Sequence, residues 1–544
     1  MNGPVNSQSI LAFLANSVAR CGSEPALGVI RGGELHWRTW QQVSDDANRL
    51  AAEIFATGVR PGDCVAHVSE NRYEWIITDL ALHVAGVVHV PIHVTLSAEQ
   101  IAEQIVDCGA KLVFVSSRES SAKFVELLSG DINVLVHDEQ GERQGGALLG
   151  KPAVAPIVPN AGDLATILYT SGTTGRPRGV MLSHENLASN ASSLADSFGD
   201  IQAETRLSVL PLSHIYARTC DLYTWVYRGS RLVLAESRET LGRDLEIVRA
   251  TAFNGVPYIY QRIADRIRTD NRDEGAQAEA LRKFFGAQME ILNCGGAPLP
   301  PETEAWYAAR GAPVLLGYGL TETSPVIAAS TPQWHRAGAV GRLLPNVEVR
   351  IAADGEVLAR GPNIMLGYWR DEAGTAEAVR DGWFHTGDLG QLYADGFLFI
   401  RGRKKELIVL STGKKVAPSR VELLLTASPL IEQAAVFGDG ECGLLALVVP
   451  SACGLAASGE EHGARSDFYA AEINRCLAAA AREEQVHRFT LLDRPFSIER
   501  GEMTGKLTLC RDVIARNFAA ELAELASQPL VRKERDSTMI ESGL

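Results

Sequence analysis

The segment Tyr169-Thr-Ser-Gly-Thr-Thr-Gly-Arg-Pro-Arg-Gly179 contains four serine and threonine hydroxyls, three glycines and two arginines, and it follows an apolar run at residues 164–168. Glycine and proline interrupt regular structure, and serine and threonine compete for backbone hydrogen bonds, so the segment is poor material for a helix or a core. Glycine lets the backbone approach a phosphate closely, while hydroxyls and a guanidinium supply donors and charge. The segment therefore predicts a polyanion-binding loop rather than a solvated turn, with contacts from Thr170, Ser171, Gly172, Thr173, Thr174, Gly175 and Arg178.

The residues around this loop exclude a P-loop nucleotide-binding motif. The order G-x-x-x-x-G-K-[ST] is absent, and residues 179–183 predict a second strand directly after the loop. A helix is predicted only later, at residues 183–198. The loop is therefore expected to join two strands and to bind phosphate without a helix N-terminus behind it.

The composition bounds the possible classes of protein. The 544 residues are 46% hydrophobic and 22% charged, typical of a globular chain of about three to four domain-sized units. The net charge of −14 argues against nucleic acid or an anionic membrane as the main partner. The most apolar stretch, residues 75–94, is interrupted by Asp79, His83, His89 and Pro91, and predicts a helix followed by a strand.

The cysteines and the N-terminus favour a cytoplasmic protein. The nine cysteines never occur as C-x-x-C, and H-E-x-x-H is absent, so we expect reduced thiols and no transition metal held by the protein alone. The first residues lack a basic segment of the kind that precedes a signal sequence, so secretion is not expected. Peripheral contact with the inner membrane stays open, because a long-chain substrate would partition into bilayers.

The order of predicted elements indicates an α/β fold. Strand-like runs alternate with helix-like segments from residue 11 to about 400, which favours mostly parallel sheets. Residues 337–400 change to short strands with frequent turn residues, typical of a small β module. A charged segment, Arg401-Gly-Arg-Lys-Lys-Glu406, then precedes a further α/β region. Within that region, residues 450–466 are predicted to form an exposed loop.

The loop and five later segments together resemble the adenylate-forming superfamily, which includes acyl-CoA synthetases, luciferases and the adenylation domains of peptide synthetases. The resemblance covers residues 11–514, and residues 69–75 and 90–96 resemble the long-chain acyl-CoA synthetase branch in particular. It implies a large N-terminal domain, residues 1–401, of two α/β subdomains plus a small β-barrel module. A smaller mobile α+β domain, residues 402–544, would follow, with a hinge near Lys405. Arg178 stands where the family usually has lysine, which keeps the charge but changes its shape.

The resemblance assigns expected roles to the nucleotide-binding segments. Thr321 would donate to the α-phosphate, and Glu322 would bind Mg²⁺ together with nucleotide phosphates. Asp388 would accept hydrogen bonds from both ribose hydroxyls, and Arg403 would reach ribose or phosphate. Adenine would lie against the backbone and ring offered by Gly295, Gly296, Ala297, Gly317, Tyr318 and Gly319.

The same resemblance gives expectations for acyl and coenzyme A binding. His214 would lie beside the acyl carboxylate and Tyr216 would shape the acyl pocket, although Ser213 and Ala217 depart from the usual long-chain residues. Gly413 and Lys414 would line the entry for coenzyme A. Lys506, in Thr504-Gly-Lys506, would place its ammonium between the attacking carboxylate and the α-phosphate.

The implied reaction is ATP- and Mg²⁺-dependent activation of a carboxylic acid, a medium- or long-chain fatty acid, to an acyl adenylate, followed by transfer to coenzyme A. Three alternatives stay open. One is an acyl-AMP ligase that loads an acyl carrier protein, and a second is an aryl or short-chain acid–CoA ligase. The third is an inactive nucleotide-binding scaffold. The joint presence of Glu322, Asp388, Arg403 and Lys506 argues against the scaffold.

Overall fold

The computed structural model describes residues 9–128, 132–137, 156–171, 177–199, 204–271, 273–459, 462–497, 499–503 and 509–528. The chain divides into two compact units. The first comprises residues 1–299, 303–386 and 390–400, and the second comprises residues 300–302, 387–389 and 401–544.

Helices and strands alternate along the described part of the chain up to residue 403. The helices are α1 (Ile10–Cys21), α2 (Trp40–Ala56), α3 (Tyr73–Ala85), α4 (Ala98–Cys108), α5 (Arg118–Val125), α6 (His184–Ser197), α7 (Ile215–Ala217), α8 (Thr224–Arg228), α9 (Leu241–Val248), α10 (Pro257–Asp270), α11 (Glu274–Phe285), α12 (Pro301–Ala309) and α13 (Glu372–Ala378). The strands are β1 (Pro25–Arg31), β2 (Glu34–Thr39), β3 (Cys64–Val68), β4 (Val88–Ile92), β5 (Leu112–Val115), β6 (Asn133–Val136), β7 (Leu164–Ser171), β8 (Pro177–Ser183), β9 (Thr205–Ser208), β10 (Arg231–Leu234), β11 (Ala252–Gly255), β12 (Ile291–Cys294), β13 (Val314–Gly319), β14 (Val326–Ala329), β15 (Gly341–Leu343), β16 (Glu348–Ile351), β17 (Glu356–Arg360), β18 (Gly367–Tyr368), β19 (Val379–Arg380), β20 (Trp383–Leu392) and β21 (Phe397–Arg403).

These strands form two sheets, as far as the described residues show. The smaller has the order β18-β8-β7-β4-β3-β5-β6, and the larger has the order β16-β17-β20-β21-β15-β14-β13-β12-β11-β9-β10-β1-β2, with β19 paired to β20. Neighbours from β7 to β6, and from β13 to β1, run parallel. The predicted α/β architecture is therefore confirmed. The short strands predicted at residues 337–400 are present, and they extend the larger sheet through the antiparallel pairs β13–β14 and β14–β15.

A layer of helices packs between the two sheets. Helices α1, α2, α3, α6 and α8 share one buried apolar cluster with strands of both sheets. At its centre the fully buried Trp40 and Trp225 stack with ring centroids 4.5 Å apart. Burying a large apolar side chain contributes about 1.5–3 kcal/mol. The shared layer of helices therefore stabilises the packing of the two sheets. Further clusters cover the outer faces, formed by α9–α12 on the larger sheet and by α4 and α5 on the smaller one.

Local sequence explains where the central helices begin. The Thr39 hydroxyl accepts a hydrogen bond from the backbone N–H of Gln42, whose side chain accepts in turn from the Thr39 N–H. Ser97 and Gln100 form the same reciprocal cap on α4. Such capping boxes satisfy donors that the first helical turn leaves unpaired.

The second unit contains a small sheet covered on both faces. Its strands β24 (Ile431–Phe437), β25 (Leu444–Pro450) and β26 (Val486–Leu491) follow a short hairpin of β22 (Ile408–Val409) and β23 (Lys415–Val416). One apolar cluster joins this sheet to α14 (Pro418–Thr426) and α16 (His462–Cys476), and another joins it to α17 (Arg511–Asn517) and α18 (Ala519–Ser527).

The prediction of a loop at residues 450–466 is wrong. The segment contains helix α15 (Ala452–Ser458) and the start of α16. The Ser451 hydroxyl caps α15 by accepting from the Gly454 N–H at 3.0 Å. Alanine has the highest helix propensity, and serine is a preferred N-cap, so these small residues favour a helix here.

No helix in the part of the chain that the structure describes is both long and apolar enough to cross a membrane. All nine cysteines are free thiols, as expected, and four of them are buried.

Candidate active site

The predicted phosphate loop joins two antiparallel strands. In the β7–β8 pair, Tyr169 lies opposite Gly179 and Thr170 opposite Arg178. The Thr170 hydroxyl donates to the Arg178 carbonyl at 3.5 Å. Gly172, Thr173, Thr174 and Gly175 lie outside the described residues, and nothing is described of the Ser171 side chain. The strand–loop–strand arrangement predicted from the sequence is confirmed at both flanks.

Arg178 is held above an aromatic ring. Its guanidinium carbon lies 5.3 Å from the centroid of the Tyr368 ring, and its Nε is 3.6 Å from Asp371 Oδ2. A guanidinium over an aromatic face gains cation–π attraction, and its planar fork suits an oxyanion. The side chain is 30% exposed. Arg178 is therefore oriented by the protein while its charge stays accessible to a ligand.

Tyr368 connects Arg178 to Glu322. Its hydroxyl donates to Glu322 Oε1 at 3.0 Å, and burial together with that carboxylate raises the pKa of Tyr368 well above its ordinary value. Tyr368 lies on β18, which pairs with β8 beside the predicted loop. Sequence reasoning missed this residue, because 46 positions separate it from Glu322 and only sheet pairing brings them together.

The turn that carries Thr321 and Glu322 is a short 3-10 helix, Thr321–Thr323, at the carboxyl end of β13. The Glu322 carbonyl accepts from the Met365 N–H at 2.9 Å, which ties the turn to the chain leading into β18. Behind the turn, Asn190 on α6 exchanges two hydrogen bonds with the backbone of Val326, at 2.7 and 3.0 Å. Glu322 is thus held at its backbone carbonyl by Met365 and at its half-buried carboxylate by the Tyr368 hydroxyl.

At Gly319, just before this turn, the backbone has no room for a side chain. A Cβ on Gly319 would lie 1.6 Å from the Pro325 carbonyl oxygen. Gly317 and Tyr318 lie in the same strand, where β13 pairs with β14. Residues 314–319 therefore form a strand that leads into a tight turn at residues 321–323, the position at which open α/β sheets collect ligands.

Gly295 and Tyr216 meet, although they were predicted for different ligands. A Cβ on Gly295 would lie 3.0 Å from the Tyr216 ring, whose hydroxyl donates to the Gly255 carbonyl at 3.4 Å. Burial raises the pKa of Tyr216 well above its ordinary value. Gly296, with φ of +83°, and Ala297 continue the turn beyond β12. Glycine at position 295 allows the ring to rest on bare backbone.

His214 begins the short helix α7 and faces a second histidine. Its ring centroid is 3.7 Å from that of His93, which follows β4 of the smaller sheet. The Ser213 hydroxyl is 3.2 Å from His93 Nδ1. The two histidines follow strands of different sheets. Sequence reasoning did not single out His93.

A buried arginine fixes the chain directly after α7. Arg218 begins a π-helix, Arg218–Tyr223, a form often found at functional sites. Its Nε and Nη2 donate to Asp79 Oδ1 at 3.0 and 2.6 Å, and its Nη1 donates to the Thr166 hydroxyl at 2.8 Å. Burial disfavours the Asp79 charge, but Arg218 and a hydrogen bond from His89 hold the pKa of Asp79 well below its usual value. Arg218 therefore fastens the segment that carries His214 to α3 and β7.

In the second unit, Asp388 and Arg403 form an ion pair. Arg403 Nε lies 3.2 Å from Asp388 Oδ1; the carboxylate is buried and the arginine is exposed. Lys405 is exposed in the 3-10 turn Lys404–Glu406. Gly413, with φ of +75°, forms the tip of the β22–β23 hairpin, with Lys414 exposed beside it.

Lys506 lies outside the described residues, which include Met503 before it and Leu509 after it. A backbone bridge pairs Met503 with Leu509. The fully buried Glu502 accepts hydrogen bonds from Arg494, Arg500 and other donors, which lower the pKa of Glu502 to about 2. These hydrogen bonds anchor the turn that contains Glu502.

The Glu322 carboxylate suits a magnesium ion that is bound jointly by the protein and by nucleotide phosphates. Within the described ranges, no group of three or more metal-ligating side chains could hold an ion alone. Mg²⁺ usually keeps several waters and binds through one or two carboxylates plus substrate phosphates. Glu322, fixed at one oxygen by Tyr368 and close to the arginine above that ring, fits this requirement.

Family profiles agree with this arrangement. The profile of the AMP-binding enzymes matches residues 14–369, and that of the AMP-binding enzyme C-terminal domain matches residues 405–528. The chain belongs to the AMP-binding enzymes. This confirms the resemblance to the adenylate-forming superfamily.

Individual AMP-binding enzymes are similar over most of the chain. Long-chain-fatty-acid–CoA ligase FadD15 of Mycobacterium bovis is 32% identical over 549 residues, covering 89% of this chain and 91% of the relative. Feruloyl-CoA synthase of Amycolatopsis sp. is 32% identical over 455 residues, covering 80% and 88% respectively. The structure of o-succinylbenzoate coenzyme A synthetase MenE from Bacillus subtilis, in complex with ATP and magnesium ion, shares the fold. Its TM-score is 0.75 at 24% identity, with 92% of this chain and 98% of that chain covered.

Proposed function

We propose that this protein activates a medium- or long-chain fatty acid with ATP and Mg²⁺, and then transfers the acyl group to coenzyme A. The reaction class, an AMP-forming acid–thiol ligase, follows from the family and from the fatty-acid–CoA ligase relative. The observation that carries the proposal is the connected set of Arg178, Tyr368 and Glu322 beside the phosphate loop. That set combines an accessible positive charge with a carboxylate suited to magnesium.

In the first half-reaction, an acid oxygen attacks the α-phosphorus of ATP, and the bond to pyrophosphate breaks. The hydroxyls and glycines of the loop, with Arg178, hold the β- and γ-phosphates in line for displacement. Thr321 donates to the α-phosphate, and Glu322 holds the magnesium ion, which neutralises phosphate charge when bound. The guanidinium at position 178 offers two parallel donors where a lysine would offer a point charge.

The remaining parts of the nucleotide and the acid have proposed contacts of their own. Adenine is proposed to lie between Tyr318 and the backbone at residues 295–297, and the ribose hydroxyls to bind Asp388 and Arg403. The acid carboxylate is proposed to bind beside His214, with its chain in a pocket shaped by Tyr216.

In the second half-reaction, the coenzyme A thiolate attacks the acyl carbon and AMP leaves with the former carboxylate oxygen. We propose that residues 402–544 form a domain that pivots at Lys405 between the two steps. One orientation would present Lys506 to the α-phosphate, and the other would present Gly413 and Lys414 to coenzyme A. Cytoplasmic location, with peripheral contact to a membrane that contains the acid, completes the proposal.

The proposal is tested by pyrophosphate release with ATP and Mg²⁺ across straight-chain fatty acids and aryl acids, with and without coenzyme A. Sustained turnover that needs coenzyme A and is highest with fatty acids is the expected result. Turnover that needs a phosphopantetheinylated carrier protein instead would assign an acyl-AMP ligase. Failure to release pyrophosphate with every acid would overturn the proposal and favour the scaffold.

A second candidate substrate class is an aryl acid. It is favoured by the feruloyl-CoA synthase relative, whose identity equals that of the fatty-acid–CoA ligase. In the same assay, higher kcat/KM with ferulate than with hexadecanoate would assign this class.

The proposed role of Lys506 gives a separate prediction. Lys506→Ala should lower acyl adenylate formation by at least about a hundredfold, because it removes a charge that stabilises the transition state. Thioester formation from supplied acyl adenylate and coenzyme A should change by less than about threefold, because that step needs no charge at the α-phosphate. Equal losses in both half-reactions would refute this division of roles. Lys414→Ala is the matched control, and it should not reduce adenylate formation.

A further inference from the structure

We propose that His93 and His214 together form the binding site for the substrate carboxylate, so that His93 is a second carboxylate-binding residue of this enzyme. This inference rests on the proposed function and deepens it. It starts from two imidazoles in direct contact, one from each sheet, with ring centroids 3.7 Å apart and ring planes tilted by 56°.

The position of His93 supports a ligand-binding role. It directly follows Ile92, the last residue of β4, a parallel strand at the centre of the smaller sheet. His214 follows β9 of the larger sheet. Ligands of open α/β sheets bind outside the carboxyl ends of the strands. The two rings therefore meet at the place where both sheets present such ends.

A hydrogen bond with Ser213 helps to orient His93. The Ser213 hydroxyl lies 3.2 Å from His93 Nδ1, and Ser213 is buried. The neighbour of His214 in sequence thus sets the angle of the opposing ring. With Nδ1 engaged in this way, His93 can address a ligand through Nε2, on the far side of the ring.

A comparison with other histidines of the first unit separates this pair from structural histidines. His89 Nδ1 bonds Asp79 at 2.7 Å, and His83 Nε2 bonds the Tyr223 hydroxyl at 3.1 Å. Both rings are at most 3% exposed, and burial lowers the pKa of each to about 4, so they stay neutral within the core. His93 and His214 are half-buried instead.

The chemistry of paired imidazoles suits an anion. Each imidazole can donate an N–H hydrogen bond, and two imidazolium charges at this separation would repel each other. A carboxylate placed against both rings would accept one hydrogen bond from each, and it would offset the charge that they share. The substrate contributes this anion in the first half-reaction only, because the carboxylate becomes an uncharged ester-like carbonyl in the adenylate.

The test compares His93→Phe with wild type, using decanoate, hexadecanoate and ferulate as acids. KM for the preferred acid should rise about ten- to hundredfold, the effect of losing a hydrogen bond to a charged group. KM for MgATP should change by less than about twofold, since the inference assigns the pair to the acid and not to the nucleotide. Thioester formation from synthetic decanoyl adenylate should stay within about threefold. His36→Phe, at an exposed histidine on β2, is the matched control and should change none of these values.

Two conservative variants separate ligand binding from a structural role. Glutamine places an amide near the position of Nε2, and asparagine places one near Nδ1. His93→Gln should recover acid binding better than His93→Asn. Recovery by asparagine alone would show that only the bond to Ser213 matters and would overturn the inference. An unchanged KM for acid in His93→Phe, or equal losses for acid and ATP, would also overturn it. If wild type itself released no pyrophosphate with any acid, the proposed function would have failed instead.

Discussion

The ion pair between Arg218 and Asp79 should be essential for the segment that carries His214. Both side chains are 0% exposed, and two guanidinium nitrogens contact the same carboxylate oxygen at 3.0 and 2.6 Å. Arg218→Met fills similar space but leaves the Asp79 carboxylate buried beside His83, His89 and Tyr223. Removing one partner of a buried pair costs about 3–5 kcal/mol. We therefore expect the free energy of opening around the π-helix to fall by that amount.

The assay is the rate at which Cys220 reacts with a thiol reagent under native conditions, followed by mass spectrometry. Cys220 is buried in the same π-helix, so it reacts only when this region opens. This local measurement does not require the two-unit chain to unfold in a single two-state transition. Arg266→Met is the matched control, because the pair of Arg266 with Asp270 is exposed and 3.9 Å apart. Its loss should cost less than about 1 kcal/mol.

The pH dependence of the same experiment has a defined sign. In wild type the pKa of Asp79 is lowered, so its contribution is present above the ordinary carboxyl range and is lost as the pH falls below it. In Arg218→Met, burial instead raises the pKa of Asp79, and stability falls as the pH rises. The difference between the two proteins should therefore be larger at pH 7 than at pH 5. If Arg218→Met lowers the free energy of opening at Cys220 by less than about 1 kcal/mol at pH 7, the reasoning is refuted.

Three further predictions concern other described residues. Tyr368→Phe removes the hydrogen bond to Glu322 and should raise KM for MgATP about ten- to hundredfold, measured by pyrophosphate release, with KM for the acid unchanged. Gly295→Ala places a methyl group 3.0 Å from a tyrosine ring and should destabilise the first unit by about 1–3 kcal/mol in urea unfolding. Gly162→Ala, which meets open space, should not. Glu502→Gln should destabilise the second unit at pH 7. Because the folded-state pKa is lowered to about 2, the wild-type advantage should disappear as the pH falls from about 4.5 toward 2.

Controls make these outcomes decisive. Tyr258→Phe alters an exposed tyrosine and should leave KM for MgATP unchanged. Glu432→Gln alters an exposed carboxylate of the second unit and should leave its stability unchanged at every pH. A rise in KM for acid in Tyr368→Phe, or a destabilisation by Glu432→Gln equal to that of Glu502→Gln, would contradict the assigned contacts.

The fold was largely predictable because local patterns and long-range packing agree. Residues 73–85 form α3, and residues 64–68 and 112–115 form β3 and β5. In each case an apolar run of the right length is bounded by turn residues. Disagreement arose at residues 450–466, where a small-residue composition typical of loops also satisfies a capped alanine-rich helix.

The site was predictable where its residues are close in sequence and less so where sheet pairing assembles it. In segments such as residues 317–322, several candidate site residues are contiguous in the sequence and form a recognisable motif. Tyr368 and His93 carry no such signal, because each has its contact with a residue far away in sequence. Arg218 offered a partial signal, because residues 215–226 contain no other charged residue than Asp221. Its partner Asp79 could be identified only from the packing of α3 against the π-helix.

Transfer of a carboxylate oxygen to AMP tests the central claim most directly. The enzyme is incubated with ATP, Mg²⁺, coenzyme A and either hexadecanoate or ferulate, with both carboxyl oxygens of the acid labelled with oxygen-18. The masses of the products are then measured by mass spectrometry. Activation through an acyl adenylate predicts that AMP carries one labelled oxygen and that the acyl-CoA keeps the other. Unlabelled AMP, or formation of ADP and phosphate in place of AMP and pyrophosphate, would contradict it.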